Sequence, residues 1–329
     1  MNPSEDEART AIPEPVIVIT GPTAGGKSSL ARQLAERLGT GVFSLDSMKV
    51  YRGMSIGTAK PSPRATADVP FRMTDLREAW EAFSIGDYID ELAGFVHRVP
   101  SPWLLAGGTA FYLNALLHGI FRGPPPNPAL RAELEAVEVS ELHRRVSELD
   151  PASGLRIHAT DRRRLTRALE VMAEFEEPFS VLQSRRVPYL RPGRFRLIGL
   201  VRPRADLYAR IDARVESMFD RGWIEEVQAL MDRHDPPWSV QANQSIGYPI
   251  IREALLEGRD PRAMLAEIQK RTRHFARHQL IWFRKMPIEW WRPDEADRLL
   301  QDIEDSLQRF AEHGAFPPAV PERVQDVEL

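Results

Sequence analysis

Eight residues near the amino end constrain this chain more than any other feature. Gly21-Pro22-Thr23-Ala24-Gly25-Gly26-Lys27-Ser28 fits the pattern G-x-x-x-x-G-K-[ST] throughout. It follows Val16-Ile17-Val18-Ile19, an apolar β-branched run of the kind buried on both faces of a parallel sheet. After it, Leu30, Leu34 and Leu38 share one face of a helix predicted from Lys27 to about Leu38. Strand, glycine-rich turn and helix in that order aim successive backbone N–H groups inward at a helix N-terminus, a concave site for an anion. Lys27 adds a point charge, and the Ser28 hydroxyl is placed to ligate Mg2+. The loop asks for a diphosphate or triphosphate; by itself it does not specify a nucleotide.

The same grammar recurs downstream. Val42 to Leu45 reads as a strand ending at Asp46, and Trp103 to Ala106 as another, running into Gly107-Gly108-Thr109 and an apolar helix. This alternation predicts an α/β fold, a P-loop NTPase-like parallel sheet flanked by helices. The pattern breaks at the proline-rich Gly123 to Pro128, becomes helical and polar, and returns to a buried strand at Leu197 to Val201. An all-helical insertion domain over 123–195 is therefore expected, inside a core formed by 15–122 and 196–312. Helices are predicted near 205–220, 223–233, 248–257 and 261–285, with an edge segment from Ile288 to Trp291. Residues 1–14 read as a disordered leader and 313–329 as a loose tail.

Composition removes several classes of function. The chain has no cysteine, so disulfides, thiolate metal sites and cysteine nucleophiles are excluded. Its eight histidines show no metal-binding spacing. The start, MNPSEDEART, is acidic rather than signal-like, and no run approaches the roughly 20 apolar residues of a membrane span. A cytoplasmic protein is expected. Net charge is −3, yet basic residues cluster at Arg162, Arg163, Arg164 and Arg167 and again from Lys270 to Lys285, so a local field could still steer nucleic acid.

Three further constellations carry chemistry, each with a plainer reading beside it. Asp46-Ser47 lies at the ligand-binding edge of an α/β sheet, where Asp46 suits a metal ligand, a general base or a simple helix cap. Gly107-Gly108-Thr109 permits close approach of a ligand, or is only a tight turn with a threonine cap. Lys270, Arg273, Arg277 and Arg284 fall at helical spacing near Gln279 and Trp282, which suits RNA or a solvated helix face. Trp80, Trp223, Trp238, Trp290 and Trp291 read as packing residues.

Taken together, the segments GPTAGGKS (21–28), DSMKVYRGMSIGTAKP (46–61), LAGGTAFY (105–112), TDRRRLTRALEV (160–171), SIGYP (245–249) and TRHFARHQLIWFRK (272–285) resemble the tRNA dimethylallyltransferases, or tRNA isopentenyltransferases. The marks run in order along almost the whole chain. The resemblance implies that the loop Gly21 to Ser28 holds the diphosphate of dimethylallyl diphosphate, with Mg2+ near Ser28. It implies an acceptor adenosine adjacent to the tRNA anticodon, Asp46 as general base on its exocyclic amine, Thr109 supporting the reacting centre, and Lys27 and Arg214 on the diphosphate. It implies tRNA contacts from Asp46, Ser47, Met48, Lys49, Thr109, Arg131, Arg163, Arg164, Arg167, Gln244, Gly247, Tyr248, Arg277, Gln279, Trp282 and Arg284. The helical insertion corresponds to a domain that folds over the anticodon stem-loop. A monomer with no protein or membrane partner is the family default.

The chain departs from the family pattern in places. Pro70-Phe71-Arg72-Met73 lacks the usual histidines, Lys49 stands where glutamine is common, and Ala110-Phe111 replaces glycine–leucine. The residues implied in catalysis are all retained. The loop alone also fits a small-molecule kinase, and the core alone fits prenyl transfer to a free adenine nucleotide; a non-catalytic RNA-binding relative is disfavoured by the retained Asp46.

Overall fold

The computed structural model describes residues 12–62, 66–125, 127–233 and 237–317. The chain divides into two compact units, one within Met1–Leu117 and Tyr189–Leu329, the other within His118–Pro188.

The first unit begins with β1 (Val16–Thr20), α1 (Lys27–Leu38), β2 (Val42–Ser44), β3 (Phe71–Arg72), α2 (Ile85–Ala93), β4 (Trp103–Ala106) and α3 (Ala110–His118). The second contains α4 (Pro128–Glu135), α5 (Val139–Leu149), α6 (Pro151–Arg156), α7 (Arg162–Phe175) and α8 (Phe179–Ser184). The first then resumes with β5 (Phe195–Leu200), α9 (Arg204–Asp220), α10 (Trp223–Asp232), α11 (Tyr248–Leu256), α12 (Leu265–Phe283), β6 (Glu289–Trp291) and α13 (Ala296–His313). The six strands form one sheet in the order β3-β2-β4-β1-β5-β6, with every pairing parallel.

β1 lies between β4 and β5 and is buried at all five positions, which is why its first four residues, Val16 to Ile19, are continuously apolar. On one face of the sheet, Ile17, Ile19, Val42, Leu104 and Ile198 pack with Leu30 and Leu34 of α1 and with Leu299, Leu300 and Ile303 of α13. Burying a leucine such as Leu34 contributes about 2–3 kcal/mol. Parallel strands bring the loops after β1, β2, β4 and β5 to one edge, their carboxyl ends, and that edge carries the candidate site.

Several expectations need correction. Residues 12–14 of the expected leader are packed: Ile12 is buried, and Glu14 accepts an ion pair from Arg191 at 2.6 Å; residues 1–11 lie outside the described ones. The tail is not loose from 313: the Phe316 ring packs on Phe310 and its N–H donates to Gly193 at 2.7 Å; residues 318–329 lie outside the described ones. The segment 70–73 supplies an edge strand too short to show a period, with Phe71 in register with Val42. The helix read over 261–285 is a 3-10 turn, Pro261–Met264, followed by α12. Helices α2 and α13 had no counterpart in the sequence reading.

The helical unit has its own core, including Leu134, Leu142, Val146, Leu165, Ala168 and Val171. Two buried carboxylates are satisfied inside it. Glu170 accepts from Arg131 at 2.6 and 2.9 Å and from Arg167 at 3.4 Å, while Asp150 caps α6 and accepts from Ser180 at 2.7 and 2.8 Å. The bounds 118–188 are offset from 123–195 because Tyr189 and Leu190 already bond the Leu116 carbonyl, at 2.9 and 3.0 Å, and Leu190 is buried. Among the described residues, no helix is long and apolar enough to cross a membrane.

Candidate active site

The phosphate loop leaves β1 at Thr20, whose hydroxyl donates to the Gly107 carbonyl at 3.0 Å. Gly26 turns the chain into α1 at φ +106°, a conformation that glycine adopts without steric cost. The Ser29 and Leu30 N–H groups bond the Gly26 carbonyl, at 3.2 and 3.3 Å, so the N–H groups of Lys27 and Ser28 precede the first bond of the helix. Side chains distant in sequence hold the rest of the loop. Arg210 Nε donates to the Ala24 carbonyl and Arg202 Nε to that of Gly25, each at 3.2 Å, and the Thr23 N–H donates to Gln279 Oε1 at 2.8 Å. Lys27 Nζ donates to the Pro22 carbonyl at 2.6 Å. Arg202 and Arg210 were not singled out from sequence, since nothing local marks an arginine that bonds a carbonyl more than 170 residues away.

Asp46 and Thr109 meet where β2 and β4 end. The Thr109 N–H donates to the Leu45 carbonyl at 3.3 Å, and its hydroxyl oxygen accepts the Ser47 N–H at 3.0 Å. Asp46 Oδ1 accepts the Met48 N–H at 2.9 Å, so the aspartate is a turn residue and a cavity residue at once.

A cavity of about 260 Å³ opens onto these loops. Its polar lining includes Lys27, Ser28, Asp46, Lys49, Thr109 and Arg214. Its apolar lining includes Ile211, Val215 and Met218 from one face of α9, with Trp223, Ile246 and Phe275. Burial pulls the Lys27 ammonium down to about 7, aided by the charges of Arg214 and Lys49 and opposed by Asp46. Burial also lowers Lys49, with Asp46 opposing, and Arg214, again with Asp46 opposing. Lys27, Lys49 and Arg214 around one carboxylate make the partly buried cavity electropositive, which favours an anionic ligand.

One wall of the cavity is set by a residue to which the sequence reading gave no role. The Glu226 carboxylate accepts the N–H of Ser55 at 2.9 Å, of Ile56 at 2.8 Å and of Gly57 at 3.4 Å, and takes the Tyr248 hydroxyl at 2.6 Å. Gly57 and Thr58 line the cavity, and a Cβ on Gly57 would stand 2.3 Å from the Trp223 indole.

The residues implied for tRNA divide into several groups. Ser47, Met48, Lys49 and Gln244 line the cavity, while Arg163, Arg164, Arg277, Trp282 and Arg284 are exposed. Others are placed differently from the expectation. Gln279 lines the cavity as well, but it is buried, with both ends of its amide bonded inside the protein. Tyr248 is buried with its hydroxyl between Glu226 and the Gly57 N–H, and Gly247 packs under the Trp223 ring. Arg131 and Arg167 are held by Glu170, a buried anion that would cost several kcal/mol unpaired. On α12, Arg273 is committed to Asp212 and to the Tyr208 ring, which leaves Lys270 and Arg277, with Arg284 at the helix cap, as the exposed cations of the predicted face. Trp223, Trp238 and Trp290 are buried packing residues.

Comparison with known proteins follows the same lines. The pattern of the IPP transferase family matches residues 49–286, and that of isopentenyl transferase matches 14–69. A tRNA dimethylallyltransferase from Chloroflexus aurantiacus is 42% identical over 295 residues, covering 85% of this chain and 97% of that one. One from Geobacter sulfurreducens is 39% identical over 284 residues, covering 84% and 91%. The crystal structure of full-length tRNA isopentenylpyrophosphate transferase from Bacillus halodurans aligns with a TM-score of 0.64 at 31% identity, over 91% of this chain and 98% of that one. A eukaryotic dimethylallyltransferase acting on tRNA shares the fold, with a TM-score of 0.78 at 22% identity, over 94% and 81%. The chain belongs to the IPP transferase family, that of the tRNA dimethylallyltransferases.

Proposed function

We propose that this protein transfers the dimethylallyl group of dimethylallyl diphosphate to the exocyclic amine of the adenosine adjacent to the tRNA anticodon, releasing diphosphate. The observation that carries the reading is the mixed lining of one cavity: Lys27 and Ser28 of the phosphate loop, the Asp46 carboxylate, and α9, which brings Arg214 together with the apolar Ile211, Val215 and Met218. A five-carbon allyl chain and a diphosphate need that combination. Family membership supplies the acceptor class.

The chemistry follows from the lining. An adenine amine is a weak nucleophile because its lone pair is delocalised into the ring. Asp46 accepts the amine proton as the new nitrogen–carbon bond forms. The allylic carbon–oxygen bond breaks, and its electron pair leaves on the diphosphate. Lys27, Arg214 and the N–H groups opening α1 stabilise that charge where it develops. Thr109, by holding the Ser47 N–H, fixes the turn that presents Asp46. The base must leave its stack to enter the cavity, at a cost of about a few kcal/mol. Contacts from the exposed Arg277, Trp282 and Arg284 on α12 offset that cost.

Mg2+ fits the donor set. Among the described residues no cluster of three carboxylate or imidazole groups could hold a metal without help. Ser28 opens α1 on the cavity, so the ion would be held by its hydroxyl, water and the diphosphate oxygens, the hard donors Mg2+ takes. When bound, it neutralises charge on the leaving diphosphate.

The test is incubation with dimethylallyl diphosphate labelled in its prenyl carbons, Mg2+ and unmodified tRNA. Label in the tRNA is the expected result. Label appearing only in free AMP or ADP, or phosphate transfer from ATP without prenyl transfer, would overturn the reading.

A further inference from the structure

We propose that Gln279 is a positioning residue for the transfer: its one amide ties the phosphate loop to the turn that carries Thr109. Gln279 Oε1 accepts the Thr23 N–H at 2.8 Å, and its Nε2 donates to the Gly108 carbonyl at 2.7 Å. The residue is 6% exposed, at the lining of the cavity. A Cβ on Gly108 would stand 2.5 Å from Gln279 Nε2, 3.3 Å from the Gly21 carbonyl oxygen and 3.5 Å from Lys27 Nζ. Loop, turn and amide are thus packed together at this point, and glycine is needed there to let the amide in. An amide suits the role because it offers an acceptor and a donor in one fixed plane. Carboxylate, amine or thioether would satisfy at most one partner.

The inference rests on the reading of Gly21 to Ser28 as the donor's diphosphate site. A loop already fixed loses little freedom when the diphosphate binds, and misplacement by about 1 Å costs on the order of 100-fold in rate. Gln279 fixes the loop and, through Gly108, the adjacent Thr109, whose hydroxyl holds the turn carrying Asp46. Leaving group and base are thereby held in register by one side chain. The same helix exposes Arg277 and Arg284, so its inner side serves the donor while its outer side remains open to RNA.

The test compares wild type with Q279M, which keeps the volume and removes both hydrogen bonds, and with G108A, which displaces the amide while leaving Gln279 in place. Donor KM and kcat are measured at saturating tRNA, with tRNA affinity and thermal unfolding in parallel. Each variant is expected to raise donor KM by about tenfold and to lower kcat by at least as much, with tRNA affinity within about twofold of wild type. The double variant is expected to be little worse than either single one, because both break the same link. Loss of folded protein alone would lower kcat through the active fraction and leave KM unmoved. Folded Q279M with donor KM within twofold of wild type, or fully additive effects in the double variant, would overturn the proposal; should Q279M not fold, the donor KM of Q279E, which keeps the acceptor for Thr23 and loses the donor to Gly108, decides in the same way. Wild type that neither binds dimethylallyl diphosphate nor transfers label would instead refute the functional reading beneath it.

Discussion

Replacing Glu226 by glutamine changes no volume and removes one charge, which makes it a sharp probe of how the cavity wall is held. In the native arrangement the carboxylate takes backbone N–H groups from Ser55, Ile56 and Gly57, together with the Tyr248 hydroxyl. All of these are donors, so an acceptor-only group satisfies them and a carboxamide cannot. Glutamine would turn its NH2 toward at least one N–H and leave another donor without a partner. A hydrogen bond to a charged group contributes about 1.5–3 kcal/mol, and a buried donor left unmet costs a further 1–3. Glu226 is only partly buried, and water can repay some of that loss. The expected destabilisation is therefore on the order of 2–4 kcal/mol, or a melting temperature lower by about 5–15 °C for a unit of this size.

Stability alone would not separate this from an ordinary buried contact. The turn pinned by Glu226 places Gly57 and Thr58 on the cavity, with Trp223 against Gly57. E226Q is thus expected to raise donor KM at temperatures well below its own unfolding. Y248F removes one donor and keeps the anion, so its effect should be about 1–2 kcal/mol. The two changes should couple, because they share a bond. The assay is chemical denaturation of the four members of that cycle, with donor kinetics on the folded proteins. An E226Q variant within about 0.5 kcal/mol of wild type, with unchanged donor KM, would refute the reasoning.

The other predictions are shorter. D46A should lower turnover by about 10²–10⁴-fold and leave tRNA affinity largely intact, as read by filter binding beside the label-transfer assay; near-normal turnover would mean that the carboxylate is not the base. R277A should weaken tRNA binding and reduce the slope of log affinity against log salt by about one, and an unchanged slope would return that residue to the solvated surface. K49Q should raise the melting temperature near neutral pH, since it removes an ammonium whose pKa burial lowers from 10.5. The sign follows from linkage: below the folded value both states carry the proton and the penalty is complete, while between the folded value and 10.5 only the unfolded chain holds it and native stability recovers. The gain from K49Q should therefore shrink as pH climbs toward 10.5, and a gain independent of pH would count against the buried charge.

What could be read from the sequence, and what could not, divides by the range of the interaction. β1, β2, β4 and β5 were legible because a strand covered on both faces is built mostly of apolar residues, and each carries such a run. The phosphate loop was legible because an anion cradle is made of consecutive backbone groups, so its chemistry is local by construction. Asp46 and Gly107 to Thr109 followed once two strands of one parallel sheet had been found, since their carboxyl ends must meet at one edge. The rest depends on pairing between segments far apart. Thr23 bonds a glutamine 256 residues on, and Ser55 a glutamate 171 residues on; no spacing announces either. The basic helix shows the same limit most plainly. Arg273 and Arg277 look equivalent in sequence, one helical turn apart. Only the fold reveals that Asp212, 61 residues upstream, holds the first, while the second stays exposed. A charge run fixes how much positive potential a helix can offer; its tertiary neighbours decide how much is already engaged within the protein. Exposed cations therefore set the salt slope of tRNA binding, and paired ones contribute to the stability of the wall behind them.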